Sequence, residues 1–219
     1  MPQLCITAIV VPGTEIGETD VNDNRFIDNK RIEGTLAEQV EESLAFCKRN
    51  MKTRTVIDKQ TGLRNDYDEY PIAAIREAIL NAVVHRDYSI YTEGTPVQIV
   101  MYRNRLEIHS PGNLYGRMTV DQLGIARPDL RNPALATMAE SLTKAENRYS
   151  GIPTMRREMK NLGLPEPVFE NRRNEFVVTF FNQNAPTTSS SLLDAGLLEL
   201  TIPDKPRSRS QRYHTVSKQ

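Results

Sequence analysis

The stretch that most constrains this chain is Pro71–His85, PIAAIREAILNAVVH. Ile72, Ile75, Ile79 and Ala82-Val83 recur at helical spacing and mark a core face, and Leu80 and Val84 make its flank apolar too. Pro71 stands where the first turn of a helix tolerates proline. Against that background Glu77, Asn81 and His85 succeed one another at four-residue steps and form a single polar stripe. Such a stripe on an otherwise buried helix is costly unless it lines a cleft or finds partners. A carboxylate and a carboxamide one turn apart suit Mg-nucleotide chemistry. The amide oxygen can ligate Mg²⁺, and the carboxylate can orient or deprotonate a water. The same spacing is common on solvated helix faces, so both readings stay open; the apolar surroundings favour the cleft.

Other elements emerge from periodicity. Leu4–Val11 predicts a buried strand, Gly13–Lys30 a polar loop, and Leu36–Met51 an amphipathic helix with Leu36, Val40, Leu44 and Cys47 on one face. A short β-like TRTVI precedes a turn at Thr61-Gly62. Val97–Met101 and Leu106–His109 alternate as a hairpin turning at Arg103–Arg105, and Ser110-Pro111-Gly112-Asn113 breaks the chain sharply. His109 falls on the outward, solvated side of its strand. Short helices are predicted at Thr119–Leu123, Pro133–Leu142 and Gly151–Leu162, the last with Ile152, Met155, Met159 and Leu162 facing a core. A final hairpin runs from Pro167 to Phe181, turning at Asn171–Asn174.

Charge narrows the function classes. Lys+Arg and Asp+Glu both number 28, so wholesale neutralisation of nucleic-acid phosphate is not the business of this chain. Two cysteines exclude a disulfide scaffold and point to a reducing compartment. The three histidines lie far apart and lack Cys partners, which argues against structural zinc. The N-terminal apolar run has no preceding Lys or Arg and is far shorter than the roughly 18 residues needed to span a bilayer. The expectation is a cytoplasmic protein with no membrane partner.

YPIAAIREAILNAVVHRDYS, together with RLEIHSPGNL, RNPALA and ENRYSGIPTMRREM, resembles the ATP-dependent DNA helicase RecG-like C-terminal domain family. That family lies within the GHKL ATPases, the superfamily of gyrase B and the histidine kinases. The resemblance runs from about Gly34 to Phe181. It implies an α+β two-layer sandwich with a mixed sheet, helices on one face, and ATP bound between helices and a lid. It further implies Glu77 as general base and Asn81 as ligand of Mg²⁺. His85, Arg86 and Asp87 match the HRDY extension of the subfamily. Ser110-Pro111-Gly112 stands at the superfamily's Asp-x-Gly motif, while Arg131, Asn132 and Pro133 fall in the lid region. Ser150, Gly151 and Ile152 begin a helix whose free N–H groups would face phosphate. Two departures are plain: Ser110 replaces the aspartate that receives the adenine amino group, and the glycine-rich lid is reduced to Gly151, with Pro153 two residues on.

Residues 1–33 resemble the exit of a Schlafen/AlbA-type nucleic-acid-binding domain, and 184–219 a linker leading into a winged helix, which places a 34–183 ATP-binding domain in the middle of a longer transcriptional regulator. The function implied is ATP binding, with either slow Mg-dependent hydrolysis or binding alone, in a homo-oligomer whose flanking domains would contact DNA. The alternative is a degenerate interaction or dimerisation platform on the same fold.

Overall fold

The computed structural model describes residues 4–57, 60–127, 129–143, 151–184, 198–200 and 213–215. The expectations for Ser150 and for most of the 184–219 segment fall outside these residues.

Six strands form a mixed sheet in the order β2-β1-β5-β6-β8-β7. They are β1 (Ile6–Val10), β2 (Asp28–Ile32), β5 (Val97–Met101), β6 (Arg105–Pro111), β7 (Val168–Arg172) and β8 (Glu175–Phe181). A separate two-stranded ribbon pairs β3 (Thr53–Ile57) with β4 (Arg64–Asp68). The helices are α1 (Leu36–Asn50), α2 (Ile72–Val84), α3 (Pro133–Thr143) and α4 (Gly151–Asn161). Every neighbouring pair in the large sheet is antiparallel except β1 with β5, which run parallel with Ile6 opposite Val97. A parallel pair needs a long crossover, and this one carries β2, α1, the β3–β4 ribbon and α2.

Strand alternation divides the sheet's two faces. Ile6, Ala8 and Val10, then Val97, Ile99 and Met101, then Leu106 and Ile108, and finally Val178 and Phe180 share one core cluster with the buried faces of α1, α2 and α4. Ala74, Ile75, Ala78 and Ile79 of α2 are fully buried there. Each such isoleucine contributes about 1.5–3 kcal/mol. The layer arrangement is therefore an α+β sandwich. On the opposite face Val11, Val100 and Tyr102 form a smaller apolar cluster. α1 begins with a capping box: the Glu38 N–H donates to Thr35 Oγ1 (3.3 Å) while the Thr35 N–H donates to Glu38 Oε2 (2.7 Å).

Two expectations change. Residues Asp28–Lys30 are strand, not loop, because β1 offers them an edge on which to pair (Val10 opposite Asp28). Arg105 belongs to β6 rather than to the turn, paired with Phe181. β1 lies inside the sheet, and Met1–Asn184 is one compact unit. Ala185–Gln219 forms a second unit, in which β9 (Leu198–Leu200) pairs antiparallel with β10 (Tyr213–Thr215). Among the described residues no helix is long and apolar enough to cross a membrane.

Candidate functional site

Glu77 and Asn81 emerge from the half-buried side of α2 and meet the first residue of α4. A Cβ placed on Gly151 would sit 3.0 Å from Glu77 Oε2, 3.0 Å from Asn81 Nδ2 and 3.7 Å from Asn81 Oδ1. The glycine is there for close approach, since any side chain would push into the polar pair. The first-turn N–H groups of α4 have no intrahelical acceptors and carry partial positive charge. Pro153 removes one of them. Burial pushes the Glu77 carboxyl up from its ordinary value, and the neighbouring Arg76 opposes that shift. Ile152, partly buried, packs into the core and brings its Cγ2 to 3.2 Å from a Cβ built on Gly124.

A second group forms where α2 ends. Gly112 (φ +95°) comes directly after β6, in a conformation that side chains other than glycine's rarely adopt. A Cβ there would lie 2.6 Å from Asp87 Cβ and 3.3 Å from Arg131 Nη2. Arg131 Nη1 pairs with Asp87 Oδ2 at 3.2 Å, its Nη2 donates to the Asn113 carbonyl at 2.8 Å, and its guanidinium lies 5.0 Å from the Tyr115 ring centre. Arg131 Nε is buried without a hydrogen-bond partner among the described residues. Burial works against the Asp87 carboxylate, but the Ser89 N–H donating to it (2.8 Å) and the Arg131 charge bring it below the usual range. His85 caps α2 through its own N–H, which donates to the Asn81 carbonyl (2.9 Å). Burial and then the Arg131 charge lower its pKa, so the ring is neutral at pH 7.

Two residues of the expected site hold the scaffold. The buried Ser110 hydroxyl donates to the Ala82 carbonyl at 2.8 Å. Asn132 Nδ2 donates to the carbonyls of Val84 (2.9 Å) and Arg86 (2.8 Å). Carbonyls in the last turn of a helix lack intrahelical partners, and these two side chains supply them. Glu77, Asn81 and Gly151 thus come together, as do Asp87, Gly112 and Arg131, while Ser110 and Asn132 fix the end of α2 that joins the two groups.

His109 corrects the sequence reading. It is not solvated but held between two carboxylates, with Nδ1 2.7 Å from Glu175 Oε2 and Nε2 3.0 Å from Glu107 Oε2. The alternation of Glu107 and His109 on β6 signals one partner, but not Glu175, which arrives from a strand far along the chain. Arg156, whose Nη1 donates to the Leu123 carbonyl (3.3 Å), likewise has no signal in the sequence.

The comparisons with known proteins bear on this geometry. Residues 94–180 match the family model described as "Putative ATP-dependent DNA helicase recG C-terminal". That span holds Ser110, Gly112, Arg131, Asn132, Gly151 and Ile152; α2, with Glu77 and Asn81, lies before it. Among solved structures, the DIP2311 protein of Corynebacterium diphtheriae superposes with a TM-score of 0.69 at 20% identity, over 93% of this chain. At that identity the likeness is one of fold. The present chain spans 39% of the length of that neighbour. No curated protein sequence matches the chain.

Proposed function

We propose that the Met1–Asn184 unit binds ATP with Mg²⁺ at the junction of α2 and α4, and hydrolyses it slowly. The observation that carries this reading is the bare glycine at the start of α4 facing a carboxylate and a carboxamide on α2. The phosphate end fits: an oxygen donor suited to a hard cation on Asn81, a base on Glu77, and open N–H groups at the head of α4. The base end fits less well. Ser110 has spent its one proton on Ala82 and offers no carboxylate to an adenine amino group. Weak discrimination between ATP and GTP is the consequence.

Bound Mg-ATP would supply the phosphoanhydride and the cation that neutralises its charge. The chain's own residues do the rest. Glu77, made a stronger base by partial burial, accepts a proton from water at a carboxylate oxygen. Asn81 presents its Oδ1 as a neutral oxygen ligand. The head of α4 places partial positive charge toward anionic oxygens, worth about 0.3–1 kcal/mol at an exposed site. Arg131, held by Asp87 and the Asn113 carbonyl, keeps its positive charge beside Gly112.

The buried hydroxyl of Ser110 also favours a second reading, in which the fold serves as an interaction or dimerisation platform in a transcriptional regulator and DNA is met by flanking segments. Melting in saturating Mg-ATP separates the two. A ligand at a hundred times its Kd adds about 2.7 kcal/mol, and each kcal/mol moves the midpoint of a domain this size by about 2–4 °C. A working pocket gives a rise of about 5–11 °C. A platform gives none with any nucleotide.

A further inference from the structure

The face of the sheet away from α1 and α2 carries a row of charges. Arg105, Glu107 and His109 alternate along β6 and project to that side, and Glu175 opens β8 opposite Pro111. Arg105 Nε donates to Glu107 Oε1 at 2.8 Å, leaving Oε2 for His109. Arg172, at the end of β7, reaches Glu107 Oε1 at 4.0 Å and is held by Glu170 at 2.6 Å. Glu15, from the loop after β1, lies 3.9 Å from Arg105. β5 presents the uncharged Gln98 opposite His109. A neutral imidazole owns one N–H and one bare nitrogen, so it satisfies one of its two carboxylates and repels the other. Only the imidazolium can donate to both.

The bridge sits beside the candidate site. Glu175 comes just after the turn at Arg173-Asn174, and the Asn174 carbonyl accepts the Gly112 N–H at 2.7 Å. Gly112 is the residue pressed against Asp87 and Arg131. We propose that His109 is a positioning residue: its imidazolium, bridging Glu107 and Glu175, holds the β7–β8 turn and through it Gly112 against Asp87 and Arg131, and loss of that proton loosens the arrangement. Its consequence for ligand affinity rests on the nucleotide reading above; the bridge itself does not. Burial alone would lower the His109 pKa, but the hydrogen bonds it donates to Glu107 and Glu175 outweigh that effect, and the net shift is upward. Release therefore occurs above the ordinary value of 6.5.

The test tracks three quantities across pH in the full chain, in wild type, His109→Gln and Glu175→Gln: the His109 ring titration by NMR, the protection factor of the Gly112 amide, and Mg-ATP affinity by calorimetry. The expected result is a His109 titration above 6.5 that drops in Glu175→Gln. Gly112 protection should fall as the wild-type ring deprotonates and vary little with pH in His109→Gln. Affinity should weaken by about fivefold over the same range in wild type alone. His109→Arg, which keeps the charge at every pH, should restore Gly112 protection on the alkaline side. A ring titrating at or below 6.5, or Gly112 protection with the same pH profile in all variants, overturns the proposal. Protection that tracks His109 in a protein binding no nucleotide supports the bridge and sinks the nucleotide reading instead.

Discussion

Ser110 at the end of β6 donates its hydroxyl to the Ala82 carbonyl of α2 at 2.8 Å, so the position that the family resemblance assigns to adenine ties sheet to helix. Ser110→Ala leaves a buried carbonyl without its donor and should cost about 1–3 kcal/mol in denaturant unfolding. Ser110→Asp should cost more, because an ionised carboxylate would face a carbonyl oxygen at a buried site. A Ser110→Asp protein as stable as wild type would show that the bond with Ala82 contributes nothing.

Gly151 gives a cleaner separation of stability from function. Alanine raises helix propensity by roughly 1 kcal/mol, while its Cβ would meet Glu77 Oε2 and Asn81 Nδ2 at 3.0 Å each. Gly151→Ala should leave the melting midpoint within a few degrees of wild type and weaken Mg-ATP binding at least about tenfold, that is by about 1.4 kcal/mol. Undiminished binding would remove α4's first turn from the site.

Asn132 should prove structural. Asn132→Asp replaces a donor to the Val84 and Arg86 carbonyls with an acceptor and should destabilise more than Asn132→Ala, itself costing about 1–3 kcal/mol. Equal stability of the two variants, read from urea midpoints, would contradict that role.

Stability should peak between two titrations. The folded state binds the His109 proton more tightly than the unfolded chain, so its contribution is complete below 6.5 and is lost as pH rises through the folded value. For Glu107, burial alone would raise the pKa, but hydrogen bonds from His109 and Arg105 outweigh it and hold it at about 2. Its contribution is therefore complete above the ordinary value of 4.5 and is lost on acidification toward 2. Melting midpoints across pH should fall on both sides, and His109→Gln should flatten the alkaline limb. An unchanged alkaline limb in that variant would place its cause elsewhere.

Periodicity makes much of this fold legible. The isoleucines of α2, the alternation of β5 with β6, and the methionines of α4 all bury the faces their spacing predicts. β2 is hidden because Asp28–Ile32 buries only Ile32 and carries no apolar alternation; it is a strand because β1 presents a partner. The convergence of Glu77 and Asn81 on Gly151 can be anticipated from the stripe and the resemblance together. The roles of Ser110 and Asn132 cannot, since a side chain's backbone partner leaves no mark in sequence. His109 eludes a sequence reading for a related reason. Strand alternation gives the face a residue occupies, not which charges arrive there from β8.

The central claim is that Glu77, Asn81 and Gly151 form a Mg-nucleotide site, and calorimetric titration of Mg-ATP into wild type and Asn81→Ala tests it most directly. The account predicts saturable binding in wild type that weakens when EDTA removes magnesium, and loss of that magnesium dependence in Asn81→Ala. Nucleotide affinity equal in the two proteins, or no heat in either at millimolar nucleotide, would contradict it.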